Sequence, residues 1–372
     1  MGSASRPFPT LSLRVTGIAR TLLCAGIVLD HSTTFLNPGL RNSWPAGILT
    51  APLLMTTTVP VFFYLSGYYS GGPPGTMSRA GRRNFLRKKF QRLIVPFLVW
   101  GVLTTVLQVG LSRPLTGADL LGILIGSNQL YFIFVLIQLA LLYRFLVRPR
   151  ISVRNSGAFL ALSASLALLN AAIVDLLQWT TGPAPAQRFA NWGAHSFLAW
   201  GVFYMLGAWA CLHPGFLETL ARKARLVGGA WVFFYAAYVV ELKISEDRFG
   251  WSPVYLFVLT AFAFMAIHTL AASVIMLRAR RWIDRIPLHA LLWRWSGETY
   301  GIYLAHVFVL LLLIRIYNSL TVTLLPFAVE APVFFLVTWF LTLGFIRLVR
   351  RRGGRWGRSL LLGEWTAAEK KG

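Results

Sequence analysis

The feature that most constrains this chain is a series of long apolar segments separated by short polar loops. A helix needs about 20 mainly apolar residues to cross the hydrocarbon core of a bilayer. In chain order, the segments that meet this requirement are 15–36, 47–70, 92–112, 129–147, 156–178, 193–213, 226–243, 253–277, 296–317 and 328–349. The sequence therefore predicts an all-α polytopic membrane protein with about ten transmembrane helices, located in the cell membrane.

The composition agrees with this fold class and excludes most soluble enzymes. Hydrophobic residues make up 56% of the chain and charged residues only 13%, whereas charged residues make up roughly 25% of a typical soluble domain. The formal net charge of +24 raises the alternative of a nucleic-acid-binding protein. Such a protein needs a soluble basic face, and this chain has no long hydrophilic stretch to form one, so no nucleic-acid partner is expected.

The positions of the basic residues predict the orientation of the helices. Lys and Arg in short loops are retained on the cytoplasmic side of a membrane. If the N-terminus lies inside, 29 of the 36 Lys and Arg residues fall in inner segments and only 5 in outer loops. Both termini are therefore predicted to be cytoplasmic. Residues 1–14 form a cytoplasmic N-terminal segment, 15–350 a membrane-embedded domain and 351–372 a basic cytoplasmic tail.

The first predicted span carries three ionisable residues, and such residues within a membrane usually serve a function. Arg20 and His31 are eleven positions apart, which is three helical turns with about 20° left over. They therefore share one face and lie roughly 16 Å apart along the axis. Asp30 points about 100° away from His31 and is not an obvious partner for its ring. The alternatives are an arginine that snorkels to the interface and a histidine that only packs.

Beyond this spacing, several segments resemble a known family. The Arg-x10-His pattern of Arg20 and His31 is similar to the signature in the first span of the acyltransferase-3 family of integral membrane proteins. Four further segments resemble that family in the same order along the chain. They are "PVFFYLSGYYSG" at 60–71, "RKKFQRLIVPFLVW" at 87–100, "LYFIFVLIQLALLY" at 130–143 and "SGETYGIYLAH" at 296–306.

The resemblance implies a membrane-bound O-acyltransferase with no metal. Members of this family move an acyl group, most often acetyl, from cytoplasmic acyl-CoA to a hydroxyl of a carbohydrate or related acceptor. By this resemblance His31 is the essential histidine, Arg20 is its motif partner, and Ser66 with Gly67 takes the Ser-Gly position. The expected partners are acyl-CoA (acetyl-CoA), the hydroxyl-bearing acceptor and membrane lipids.

The resemblance also implies a donor site at the cytoplasmic face. Lys89 and Arg92 take the paired basic positions, where the family usually has two arginines, and Arg87 could compensate for the lysine. The inner segment 71–92 contains seven Lys or Arg residues and no acid, so it can attract the phosphates of coenzyme A. Glu298, at the inner start of a span, is a candidate to pair with a basic residue of the first or third span.

Chemically, His31 can serve as the general base that takes the proton of the acceptor hydroxyl. An acyl-histidine intermediate is the open alternative. The hydroxyl of Ser66, Arg20 and the N–H of Gly67 are candidates to stabilise the oxyanion.

The remaining features of the sequence predict no metal site and leave one competing function. Of the other histidines, His195 is a candidate acceptor contact, and His306 is as plausibly a packing and hydrogen-bonding residue. His213 and His268 are expected only to pack. The competing function is a transporter or flippase of a glycan, lipid or small metabolite, which ten spans with intramembrane charges could also serve.

Overall fold

The computed structural model describes residues 11–36, 46–71, 78–110, 114–126, 130–249, 258–319 and 327–365, and this part of the chain is helical with no strand. The helices are α1 (Leu13–Leu36), α2 (Ala46–Ser70), α3 (Arg79–Lys89), α4 (Val95–Val109), α5 (Gly117–Ile125), α6 (Tyr131–Leu142), α7 (Ser156–Thr181), α8 (Pro183–Ala194), α9 (Phe197–Leu212), α10 (Pro214–Arg222), α11 (Ala224–Phe249), α12 (Leu259–Ala279), α13 (His289–Trp295), α14 (Thr299–Ser319), α15 (Phe327–Arg352) and α16 (Gly354–Leu362).

Six helical stretches of the described chain are long and apolar enough to cross a membrane. They are Arg83–Val109, Ser156–Thr181, Ala224–Ser245, Leu259–Ala279, Thr299–Ser319 and Val329–Arg352. A seventh span results if α8 and α9, which meet at an angle of 44°, are counted as one broken helix. The protein is therefore an all-helical, multi-pass membrane protein.

The prediction of ten spans is not confirmed, and the cytoplasmic location of the termini stays a prediction. Three predicted spans, 15–36, 47–70 and 129–147, are not among these seven, and each is missing for a different reason. The helix α1 has 24 residues, but its charged residues lower its hydropathy. In α2, the side chains of residues 46–56 lie outside the described part of the chain. The apolar stretch Tyr131–Val147 is too short for the roughly 20 residues that a straight crossing needs.

Two of the predicted spans contain irregular helical turns. Residues 90–94 are π-helical and join α3 to α4 without a break, and residues 143–147 form a second π-helical turn after α6. Such turns often occur at functional sites. At the bend between α8 and α9, the side chain of Gln138 donates to the carbonyl of His195 and accepts from the N–H of Phe197. This clamp satisfies backbone groups that apolar surroundings would otherwise leave unpaired.

The helices α2 and α9 cross at very short distance. A Cβ on Gly67 would overlap the backbone carbonyl of Tyr204, and a Cβ on Gly207 would overlap that of Tyr64. Small residues permit this kind of close crossing, which is a main source of helix association inside a bilayer. Both glycines lie within helices. The glycine of the Ser-Gly motif, Gly67, therefore allows α2 and α9 to pack closely.

The C-terminal region folds back onto the membrane domain. The helix α16 packs against α4, α14 and α15, and the indole of Trp100 on α4 donates to the carbonyl of Leu361 at 2.9 Å. The indole of Trp365 donates to the carbonyl of Gln91 at 2.7 Å. The first part of the predicted basic tail is therefore an ordered element of the bundle.

The crossing of α2 and α9 generates a test of the packing. Gly67→Ala and Gly207→Ala each place a methyl group against a backbone carbonyl, so we expect each variant to lose about 1–3 kcal/mol of stability. Thermal unfolding in detergent measures the loss. Gly344→Ala on α15 is the control, because no atom lies within 4 Å of its added Cβ. Equal melting temperatures for Gly67→Ala, Gly207→Ala and the control would contradict the close crossing.

Candidate active site

The helix α1 positions two of the predicted site residues along its length. It is continuous from Leu13 to Leu36, so Arg20 and His31 lie three turns apart on one helix as the spacing predicted. Both side chains are half-buried. Cys24 lies one turn after Arg20 on the same face of α1, and its thiol lies 3.6 Å from the carbonyl of Thr299 on α14. This face of α1 is therefore directed towards the helix bundle.

The imidazole of His31 contacts a second imidazole on α14. The Nδ1 atom of His31 lies 2.8 Å from Nε2 of His306. The two rings are nearly parallel, with an interplanar angle of 4° and 5.1 Å between their centroids. His306 is fully buried. A hydrogen bond between two side chains thus connects α1 to α14.

The backbone of α14 determines which nitrogen of each ring carries a proton. The Nδ1 atom of His306 lies 3.0 Å from the carbonyl oxygen of Ile302 and 2.8 Å from that of Tyr303. Carbonyl oxygens only accept, so Nδ1 of His306 carries a proton, and a neutral His306 accepts at Nε2. His31 must then donate from Nδ1. In a neutral His31 the lone pair therefore resides on Nε2.

Polar and aromatic side chains surround the histidine pair. The ring of Tyr303 lies 5.9 Å from that of His306, and Tyr131 interacts electrostatically with Tyr303 and with Asp30. The ring of Tyr131 also lies 5.7 Å from that of His195. The helices α1, α6, α14 and the bend before α9 therefore converge on one polar cluster.

His195 has the geometry of an acceptor contact at this cluster. Its Nδ1 atom lies 2.7 Å from the carbonyl of Asn191, so Nδ1 donates and Nε2 is the accepting nitrogen. The Nε2 atom is enclosed and has no hydrogen-bond partner among the described residues. An imidazole in this state can accept a hydrogen bond from a hydroxyl.

Arg20 lies three helical turns before His31, towards the start of α1. It interacts electrostatically with Tyr69 on α2, whose hydroxyl lies 2.6 Å from Oγ1 of Thr16. The Nε atom of Arg20 is enclosed but has no hydrogen-bond partner in the described part of the chain. A partly buried guanidinium with an unused donor is suited to an anionic ligand.

The other predicted donor-binding residues lie where α3 continues into α4. Arg87 lines a cavity of about 790 Å³ together with Ala80, Arg83 and Asn84. Lys89 is half-buried and lies 5.6 Å from the ring centroid of Phe85.

Arg92 belongs to a different cavity from Arg87. It lines a cavity of about 300 Å³ that also includes Arg350 and Glu364. Its carbonyl accepts a hydrogen bond from the hydroxyl of Tyr300 at 2.8 Å. Arg87 and Arg92, two of the predicted donor-binding residues, therefore line separate cavities.

Glu298 pairs with a different basic residue from the one expected. Its carboxylate binds the guanidinium of Arg350 on α15, rather than a residue of the first or third span. The same guanidinium donates to Glu364 at 2.7 Å and to the carbonyl of Gly297 at 3.1 Å. The expectation named the wrong partner because contacts between the ends of distant helices depend on the tertiary fold.

Ser66 lies on α2 and is half-buried, next to the close crossing of α2 and α9. Gly67 lies within the same helix, where its N–H takes part in the helical hydrogen-bond pattern. Such an N–H is poorly placed to stabilise an oxyanion. The described residues contain no group of three His, Cys, Asp or Glu side chains that could hold a metal ion.

Sequence reasoning missed two residues that the structure brings into the site. From the sequence, His306 is as plausibly a packing residue as a hydrogen-bonding one. Arg350 is, from the sequence, only one of several basic residues in the last inner segment. The available signal for His306 was its position at the end of "SGETYGIYLAH", the last of the resembling segments. A mid-span histidine in such a segment is a candidate partner for the histidine of the first span.

The chain matches a known protein family. A family model described as an acyltransferase domain matches residues 17–349, which is nearly the whole chain. No curated protein and no solved structure matches.

Proposed function

Because this chain belongs to the acyltransferase-3 family, we propose that it is a membrane-bound O-acyltransferase. The proposed donor is cytoplasmic acyl-CoA, with acetyl-CoA the first candidate, and the proposed acceptor is a hydroxyl of a carbohydrate or related molecule. The 2.8 Å hydrogen bond between His31 and His306 is the observation that carries the proposal. No observation favours the alternative of a transporter.

In this proposal His31 is the general base and His306 is a positioning residue. The carbonyls of α14 fix the proton of His306 on Nδ1, and His306 in turn holds the proton of His31 on Nδ1. Nε2 of His31 then carries the lone pair and is the nitrogen that takes the proton in this proposal. As His31 becomes positively charged, its hydrogen bond to the neutral Nε2 of His306 becomes charge-assisted and therefore stronger.

The proposed reaction is a direct transfer. The oxygen of the acceptor hydroxyl attacks the carbonyl carbon of the thioester while its proton moves to Nε2 of His31. The carbon–sulfur bond then breaks, and the proton on His31 passes to the departing thiolate of coenzyme A. Arg20 lies roughly 16 Å from His31 along α1. Ser66 is close in α2 to Tyr69, which bonds Thr16 at the start of α1. In this proposal both Arg20 and Ser66 therefore belong to the donor site rather than to the oxyanion. The ester remains on the acceptor, and His31 returns to its neutral form.

The donor side of the proposal rests on charge and on position along α1. Arg87 and Arg92 each line a cavity, and Lys89 lies between them in the chain, so this basic segment suits the phosphates of coenzyme A. Arg20 then lies between these phosphates and His31. Glu298 contributes indirectly, because it holds Arg350 at the cavity that Arg92 also lines.

The roles of the two histidines can be tested with variants of the purified protein. We expect His31→Ala to lower the rate of acyl transfer about 10²–10⁴-fold, the usual contribution of a general base. His306→Leu should cause a smaller loss, because His31 remains but its tautomer is no longer fixed. His306→Gln should retain more activity than His306→Leu, since an amide oxygen can accept from Nδ1 of His31.

The measurement is thiol release from acetyl-CoA with a cell-envelope glycan extract as acceptor. His213→Ala is the matched control, because the ring of His213 contacts the neighbouring turn of its own chain segment, where Nδ1 bonds the carbonyl of Trp209. Unfolding temperatures show whether each variant is folded. If His31→Ala is folded and matches the wild-type rate, the proposed base is wrong.

The role of Arg20 has its own test. A hydrogen bond to a charged group contributes about 1.5–3 kcal/mol, so we expect Arg20→Ala to weaken the binding of coenzyme A at least tenfold. Equilibrium binding in detergent measures this change. Arg315→Ala is the control, because Arg315 is also an intramembrane arginine but donates to the carbonyl of Leu107. The same affinity in Arg20→Ala and Arg315→Ala would remove Arg20 from the donor site.

A further inference from the structure

An apolar groove runs along the surface of the bundle between α6, α7 and α9. It encloses about 260 Å³, and the side chains that line it are almost entirely aliphatic or aromatic. They include Leu146, Leu162, Leu166, Tyr143 and Tyr204.

The groove opens towards the surroundings of the bundle. Leu146 is 53% exposed and Leu162 is 58% exposed. Leu162 belongs to the candidate span Ser156–Thr181, and Leu146 belongs to the shorter apolar stretch Tyr131–Val147. Within a bilayer, such an opening faces the acyl chains of the lipids. An unfilled groove would lose contacts along its walls, so an apolar chain stabilises it by filling it.

The end of the groove near the π-helical turn after α6 carries positive charge. Arg144 and Arg148 directly follow the lining residues Tyr143 and Val147 in the chain, and the backbone N–H of Arg148 donates to the carbonyl of Tyr143 at 2.7 Å. The Nε atoms of both arginines are enclosed and lack hydrogen-bond partners among the described residues. The guanidinium of Arg144 also lies 5.7 Å from the ring centroid of Phe85 on α3, so the basic helix α3 adjoins this end.

A buried polar atom lies in the wall of the groove itself. Tyr143 is only 3% exposed, and its hydroxyl has no hydrogen-bond partner in the described part of the chain. The hydroxyl of Tyr204 is already bonded, to Oγ of Ser70 at 2.8 Å. The stretch 143–174 contains no Asp or Glu, so no acid of α7's first half neutralises the arginines.

We propose that this groove binds one anionic glycerophospholipid. An acyl chain occupies the apolar part, and the phosphate lies at Arg148 and Arg144. The hydroxyl of Tyr143 donates to an oxygen at the headgroup end of the lipid. The charge complementarity at one end, joined to a groove open to the bilayer, favours a lipid of the surrounding leaflet over a soluble ligand. This proposal is independent of the transferase reaction.

The test is native mass spectrometry of the detergent-purified protein with added phosphatidylglycerol or phosphatidylcholine. We expect one phosphatidylglycerol to bind, with a preference over phosphatidylcholine of about fivefold for each arginine engaged. Arg148→Gln should reduce this preference. Leu166→Trp, which fills the groove, should reduce the binding of both lipids.

Leu168→Trp is the matched control, because Leu168 lies two residues further along α7 and is 50% exposed outside the groove lining. It should bind lipid as the wild type does. Equal binding of the two lipids by the wild type would overturn the proposal, as would unchanged preference in Arg148→Gln. Displacement of phosphatidylglycerol by acetyl-CoA would also overturn it, because the groove would then belong to the donor. Arg148→Gln keeps the proposal testable if Leu166→Trp does not fold.

Discussion

The hydrogen bond between two imidazoles, one on α1 and one on α14, is the interaction on which the site depends. It joins residues 275 apart in sequence, of which His306 is fully buried. The carbonyls of α14 set the protonation of His306, and His306 sets that of His31. In the proposed mechanism, the backbone of α14 thus determines, through the ring of His306, which nitrogen of His31 acts as the base.

The membrane environment explains why the rest of the bundle is built as it is. Backbone groups in apolar surroundings must be paired within the protein, so the bend between α8 and α9 is clamped by Gln138. Helix association cannot rely on the hydrophobic effect there, and α2 and α9 instead approach closely at Gly67 and Gly207. These features bring Tyr131 and His195 towards the histidine pair.

The sequence predicted those parts of the structure that depend on local periodicity. Arg20 and His31 lie on one continuous helix, as their spacing required, and the helical, multi-pass class followed from the apolar segments. The number of spans was less predictable, because hydropathy does not reveal that a segment is bent, as at α8 and α9. The pairing of His31 with His306 and that of Glu298 with Arg350 could not be read from the sequence. Each joins distant helices, and its geometry exists only after the bundle has formed.

The central claim is that His306 holds the proton of His31 on Nδ1 and so leaves Nε2 as the base. Nitrogen NMR of the protein with ¹⁵N-labelled histidine measures this directly, and His31→Gln and His306→Gln assign the two rings. The account predicts that both rings are neutral and protonated on Nδ1, with a hydrogen bond from Nδ1 of His31 to Nε2 of His306. A His31 ring protonated on Nε2 would contradict it.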